Sequence, residues 1–248
     1  MNRLKIYLTV AVLMAAVSPL YGQPPGYRSD GSAILPGSGT VTLALAWGEQ
    51  LKPSPNYPKV VINLKESLVK YARLPVDIRP NFRLGTGDLM KLSIVLITTD
   101  SQFELMPTEI GNLREYIRQG GMVVVDDAGA GMPNSSSGAS MRKMIHEIAG
   151  RGRIQRIPGT HPIYQTPFKM DGPPLGANIA LSHMGQRVTA TIGESDHYLN
   201  GVFLGDRLAI LYIDRGYTPY WNSLKSDAYM KFWVNVVSYA LAERAVPM

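Results

Sequence analysis

The chain has 248 residues, no cysteine and a formal net charge of +6, two units of which lie on Arg3 and Lys5. That length is ample for a hydrophobic core, and the lack of cysteine excludes disulfides, thiolate metal sites and thiol nucleophiles. The basic residues are scattered, the densest group being Arg151, Arg153 and Arg156. Nucleic-acid binders carry a clustered stripe with interleaved aromatics, so nucleic acid is not an expected partner.

Residues 1–22 read as a secretory signal peptide. Arg3 and Lys5 precede an apolar run from Ile6 to Val17, and Gly22 suits the last residue removed. The run is shorter than the roughly 20 residues of a membrane-spanning helix, which favours cleavage over an uncleaved anchor. The expectation is an exported protein, periplasmic or extracellular, with no transmembrane segment after cleavage. Residues 23–40, rich in Pro, Gly and Ser, read as a flexible leader. Residues 41–248 read as one domain.

Val41 to Trp47 is an apolar stretch between Gly39 and Gly48, as in a buried strand. Pro58 opens a predicted helix to Arg73, with Val61, Leu64, Leu68 and Ala72 on one face. Leu74-Pro75 stops it, and Val76-Asp77-Ile78 forms a short strand. Leu92 to Thr98 is a nearly all-apolar strand. A helix follows from Pro107, with Ile110, Leu113, Tyr116 and Ile117 on its apolar face and Gly120-Gly121 as its stop. Met122 to Val125 is the next strand and runs into Asp126-Asp127. Strands this uniformly apolar are covered on both faces, which predicts a parallel sheet between helices.

Ser140 to Ala149 reads as a third helix and Arg153 to Ile157 as a strand. Residues 158–187 read as irregular, and Val188 to Ile192 as a further strand. Val202 to Leu204 and Arg207 to Ile213 form a predicted hairpin about Gly205-Asp206. The last helix runs from Ser226 to Arg244, with Tyr229, Trp233, Val236, Val237, Ala240 and Leu241 as its buried stripe.

Open parallel sheets bind ligands at the carboxyl ends of their strands. That rule gathers Trp47 and Glu49, Asp100, the pair Asp126 and Asp127, and, if the hairpin joins the sheet, Asp214 and Arg215. Two adjacent carboxylates could hold Mg²⁺ or Ca²⁺, or work as acid and base. They could equally cap the next helix or bind turn N–H groups. Neighbours on an extended chain point to opposite faces, so at most one of the pair faces a given pocket. Ala128-Gly129-Ala130-Gly131 could bring N–H groups to an anion but is neither a P-loop nor a full dinucleotide fingerprint. Asn134 to Ser137, with Gly138, reads as a loop.

The histidines, His146, His161, His183 and His197, are dispersed, with no metal-ligand pair at helical spacing. His161, before Pro162, reads first as a capping residue and second as a ligand-binding one. Asp196-His197 reads as a polar turn. Trp221 in an aromatic-rich loop could stack on a ligand or cover the core edge.

Leu113-Arg114-Glu115-Tyr116-Ile117-Arg118-Gln119-Gly120-Gly121, Val123-Val124-Val125-Asp126-Asp127, His161-Pro162-Ile163-Tyr164, and Leu199-Asn200-Gly201 with Gly205-Asp206-Arg207 together resemble the bacterial domain-of-unknown-function family 4159. The resemblance spans roughly Val41 to Trp221. It implies a flavodoxin-like α/β sandwich similar in fold to the class I glutamine amidotransferases. Those enzymes place a Cys nucleophile where this chain has Asp126-Asp127-Ala128, and family members often carry Cys at the Ala128 position. Without cysteine, amidotransferase chemistry by that route is excluded, and fold likeness transfers no function by itself.

The leading reading is a non-catalytic exported module that binds a small ligand or an envelope protein partner in a strand-end cleft. The alternatives are a metal-assisted hydrolase using Asp126 and Asp127, and a structural accessory of an envelope complex. No cofactor is expected; a divalent metal at the two aspartates is the one left open.

Overall fold

A computed structural model describes residues 40–55, 59–130, 136–176, 197–223 and 227–244. The signal peptide, most of the leader, Pro58, Gly131, Asn134, His183, Asp196 and the strand expected at Val188–Ile192 lie outside the described residues.

The chain order is β1 (Val41–Trp47), α1 (Val60–Ala72), β2 (Val76–Arg83), β3 (Ile94–Thr99), α2 (Pro107–Arg118), β4 (Met122–Asp127), α3 (Ser137–Ala149), β5 (Gln155–Arg156), α4 (Pro162–Gln165), β6 (Asn200–Leu204), β7 (Arg207–Ile213), α5 (Thr218–Trp221) and α6 (Asp227–Arg244). Among the described residues, seven strands form one sheet in the order β2-β1-β3-β4-β7-β6-β5. β2, β1, β3, β4 and β7 pair in parallel, and β6 and β5 continue the sheet antiparallel. The parallel part has the flavodoxin-like order, with the chain reversing its direction across the sheet between β1 and β3.

The alternation of strand side chains builds two cores. Val41, Leu43 and Leu45 of β1, Ile94 and Leu96 of β3, and Met122 and Val124 of β4 face the layer that holds α1 and α6. Ala44, Ala46, Val95, Ile97, Val123 and Val125 face the layer that holds α2 and α3. The expected flavodoxin-like sandwich, mostly parallel with helices on both faces, is the observed architecture. The hairpin does join the sheet, and Gly205 at φ +61° makes its tight turn. Gly120 ends α2 at φ +90°, a conformation that costs glycine little.

Several boundaries differ from expectation. β2 runs on to Arg83 despite Pro80, because it is an edge strand whose outer side needs no ladder donor. The strand expected from Leu92 begins at Ile94, where pairing with Met122 starts. The strand expected over Arg153–Ile157 narrows to Gln155–Arg156, paired only with β6. Pro162–Gln165, expected to be irregular, is a short helix. Ser137 and Gly138, expected in a loop, form the first turn of α3, where the Asp127 carboxylate receives the Ser137 hydroxyl.

α6 also departs from a simple stripe. It is buried from Phe232 to Ala240, polar residues included, while Tyr229 and Leu241 are only half-buried. The reason is Asn235: its side chain accepts from Phe168 N–H at 2.8 Å and donates to Ile163 O at 3.1 Å and Phe168 O at 2.7 Å. The α4 segment thereby covers the face of α6 that would otherwise meet water. No helix among the described residues is long and apolar enough to cross a membrane.

Candidate functional site

β4 delivers Asp126 and Asp127 to opposite faces of the sheet, as strand geometry requires. Asp126 is fully buried. One oxygen accepts Tyr217 N–H at 2.7 Å; the other accepts Thr218 N–H at 2.8 Å and Thr218 Oγ1 at 2.5 Å. Thr98 Oγ1 lies 2.5 Å from the same Thr218 hydroxyl. Asp126 therefore anchors the start of α5 on the carboxyl ends of β3 and β4. Burial pushes its carboxyl up to about 6, although these hydrogen bonds pull the other way.

Asp127 faces the α3 layer. Its Oδ1 accepts Ser137 Oγ at 2.5 Å and Gly129 N–H at 3.1 Å. Burial also raises this carboxyl, opposed by the same two hydrogen bonds and by the Arg142 charge, while the Asp214 charge raises it further. Gly138 is what lets the carboxylate approach: a Cβ there would stand 2.7 Å from Asp127 Oδ2. The two aspartates thus serve two helices in two layers and do not form one chelating pair. Among the described residues no three of His, Cys, Asp or Glu come together as a metal set.

The Gly-rich run after β4 turns its N–H groups inward. Ala128 N–H goes to Thr99 O and Asp126 O, Gly129 N–H to Asp127, and Ala130 N–H to Asp127 O. Asp100 is half-buried beyond β3 and accepts Ser101 Oγ at 3.0 Å. Asp214, beyond β7, accepts Asn200 Nδ2 at 3.1 Å and pairs with Arg215 at 3.5 Å.

One expected ligand contact, Trp221, is corrected, and His161 takes the capping role read first from the sequence. Trp221 is fully buried, edge-on to Tyr217 and Trp233, with its indole N–H directed at Tyr229 O; it belongs to the core and offers no stacking face. His161 caps α4, its Nδ1 accepting Ile163 N–H at 3.3 Å. Its ring packs on Phe203 and Tyr239, and Tyr239 Oη accepts Leu208 N–H near the start of β7. That is the amino end of the strand, remote from the aspartates. Burial pulls its imidazole down to about 4, so it is neutral at neutral pH.

A concavity at the carboxyl edge lies elsewhere, at the ends of β1 and β2. It holds about 450 Å³ and is lined by Gly48, Glu49, Lys52, Arg83, Gly85 and Glu109. Gly48, Glu49 and Lys52 follow β1, Arg83 and Gly85 close β2, and Glu109 comes from the first turn of α2, which follows β3. The pocket therefore straddles the chain-reversal point between β1 and β3. Its wall is fastened by Glu109, whose buried carboxylate accepts Glu49 N–H at 2.8 Å and Met106 N–H at 2.9 Å. Trp47, paired with Arg83 across the sheet, stands half-buried behind the rim. Its indole N–H donates to Pro80 O at 3.1 Å, and the Arg83 guanidinium lies 5.8 Å from its ring.

Of this pocket, sequence reasoning had named Glu49 and the adjoining Trp47. Arg83, Lys52, Gly85 and Glu109 were missed. Arg83 sat past a proline that argued against a continuing strand. Glu109 follows Met106, which is no polar cap, so the Ser/Thr-x-x-Glu signal of a capping box was missing. A second depression of about 610 Å³ is formed by residues 168–175, His197 and the first turn of α6. It is built from a loop and a helix start, not from strand ends, and its Lys231 and Asp227 are paired with each other at 2.7 Å.

No curated protein matches the chain in sequence. A family model described as Domain of unknown function (DUF4159) matches residues 49–241, a span that includes Glu49, Arg83, Glu109 and both aspartates. By that match, covering well over half its length, the chain belongs to the DUF4159 family.

Proposed function

We propose that this protein is an exported, non-catalytic binding module whose small-ligand site is the pocket at the carboxyl ends of β1 and β2. One observation carries the reading: a concavity of the carboxyl edge sits at the strand reversal point, with a few convergent polar side chains, as binding sites in such sheets do. The conspicuous acids elsewhere favour structure over chemistry. Asp126 spends both oxygens on α5, and Asp127 holds the first turn of α3. The metal-assisted hydrolase needs the two carboxylates on one ion, and they point apart. Export rests on residues 1–22, with their basic start and apolar run.

Gly85 supplies the test. Gly85 lines the pocket and a Cβ there would meet nothing within 4 Å, so Gly85→Trp adds bulk at the pocket wall without a clash at the Cβ. Thermal unfolding is scanned with small polar molecules and divalent metals on the parent, on Gly85→Trp and on Asp127→Asn. A ligand at about 100 times its Kd adds about 2.7 kcal/mol. The expected result is a stabilising molecule whose effect disappears in Gly85→Trp and survives in Asp127→Asn. A metal-dependent rise lost in Asp127→Asn contradicts the proposal.

A further inference from the structure

The pocket's charges point to the kind of ligand it takes. Glu109, although acidic, is not presented to the cavity as a free charge. Each of its oxygens accepts a backbone N–H, and it sits on the amino end of its own helix, where the helix dipole offsets a negative charge. The anion position at that helix start is thus already filled from within the chain. The exposed charged groups that remain on the wall are Glu49, Lys52 and Arg83.

Arg83 is the one beside an aromatic ring. Its guanidinium stands 5.8 Å from the Trp47 ring, and among the described residues its side-chain hydrogen bond is a long contact of 3.4 Å to Gly48 O. Among the described residues neither Arg83 nor Lys52 has a carboxylate partner. A guanidinium held near an aromatic ring that keeps most of its donors unused is suited to a planar or tetrahedral oxyanion, which it engages through two parallel hydrogen bonds. Lys52 adds a second, exposed charge from the loop after β1.

We infer that the pocket binds a small ligand through an anionic group, a carboxylate or a phosphate, held by the Arg83 guanidinium with Lys52 beside it. Glu49 sets the remaining selectivity: it repels a second negative charge and accepts from a hydroxyl or ammonium elsewhere on the ligand. This inference rests on the pocket being the binding site.

The experiment follows the Trp47 indole N–H and the amides of Gly48 and Gly85 by NMR during titration. The probes are inorganic phosphate and citrate as anions, glucose as a neutral control and putrescine as a cation. Saturable shifts with phosphate or citrate alone are expected. Arg83→Gln should weaken that binding by about tenfold or more, the worth of a charge-assisted hydrogen bond. Arg83→Lys should recover part of it, and Glu49→Gln should tighten it. The opposite signs at Arg83 and Glu49 separate ligand binding from a change in fold, which would move all probes together.

Saturable binding of glucose or putrescine at these residues, with none of the anions, overturns the anionic class while leaving the pocket as the site. Anion binding that Arg83→Gln does not weaken overturns the assignment to Arg83. Failure of every probe to move Trp47, Gly48 or Gly85 overturns the inference and counts against the pocket itself.

Discussion

Replacing Asp126 by Asn tests the claim that this carboxylate is structural and held ionised against its burial. In the folded chain its carboxyl is raised to about 6 from an ordinary 3.8, burial being the main cause. A raised folded value means the native state binds more protons than the unfolded chain between about pH 4 and about pH 6, so this group's contribution falls as pH rises. The gap is worth about 3 kcal/mol at about 1.4 kcal/mol per pH unit. Asn has no such titration. Its amide N–H₂ meets donors from Tyr217 or Thr218 where an oxygen was, which costs about 1–3 kcal/mol at every pH. The parent should therefore be the more stable at about pH 3, by that amount. The difference should shift by about 3 kcal/mol in favour of Asp126→Asn by about pH 8, leaving the variant equal or more stable. Urea unfolding read by the fluorescence of buried Trp221 and Trp233 measures it. Only the difference between the two proteins is informative. His161, with a depressed imidazole value, gains stability with rising pH over much of the same window, and it is present in both. A variant that loses more stability at about pH 8 than at about pH 3 would refute the reasoning, because the hydrogen bonds would then outweigh burial.

Three further outcomes follow from the packing. Gly138→Ala gains helix propensity of about 1 kcal/mol but drives a Cβ to 2.7 Å from Asp127 Oδ2; a net loss of about 1–2 kcal/mol is expected in thermal unfolding. Asp127→Ala in that background should remove the penalty, and an unchanged penalty would mean the carboxylate is not there. Asn235→Ala removes three hydrogen bonds to the α4 segment, worth about 1 kcal/mol each; faster exchange of the Phe168 amide should accompany the loss. Glu109→Gln turns an amide donor on Glu49 N–H or Met106 N–H, costing about 1–3 kcal/mol and weakening anion binding, with Glu109→Asp failing to restore either because it is too short to span both donors.

The parts of the fold that read from sequence were those set by local pattern. β3 and β4 are apolar on both faces because each face meets a helix layer, and the hairpin announced itself by Gly205. Asp126 and Asp127 were correctly separated onto two faces by strand geometry alone. What Asp126 holds was not readable, since Tyr217 and Thr218 lie about ninety residues away in the chain. The same distance problem hid the pocket: Arg83 and Glu109 meet only after β1, β2 and α2 are placed. Trp221 stayed open between stacking on a ligand and covering the core edge because nothing local shows that α6 closes over it. The role of Asn235 was not readable either, its partners Ile163 and Phe168 lying in a segment without periodicity.

The measurement that bears most directly on the central claim is an amide chemical-shift map of the stabilising molecule found in the ligand scan. The largest changes should fall on Gly48, Glu49, Arg83 and Gly85, with the Trp47 indole N–H among them. Changes centred instead on Asp127, Asp214 and the first turn of α3, or on residues 168–175, would place the binding site elsewhere and contradict it.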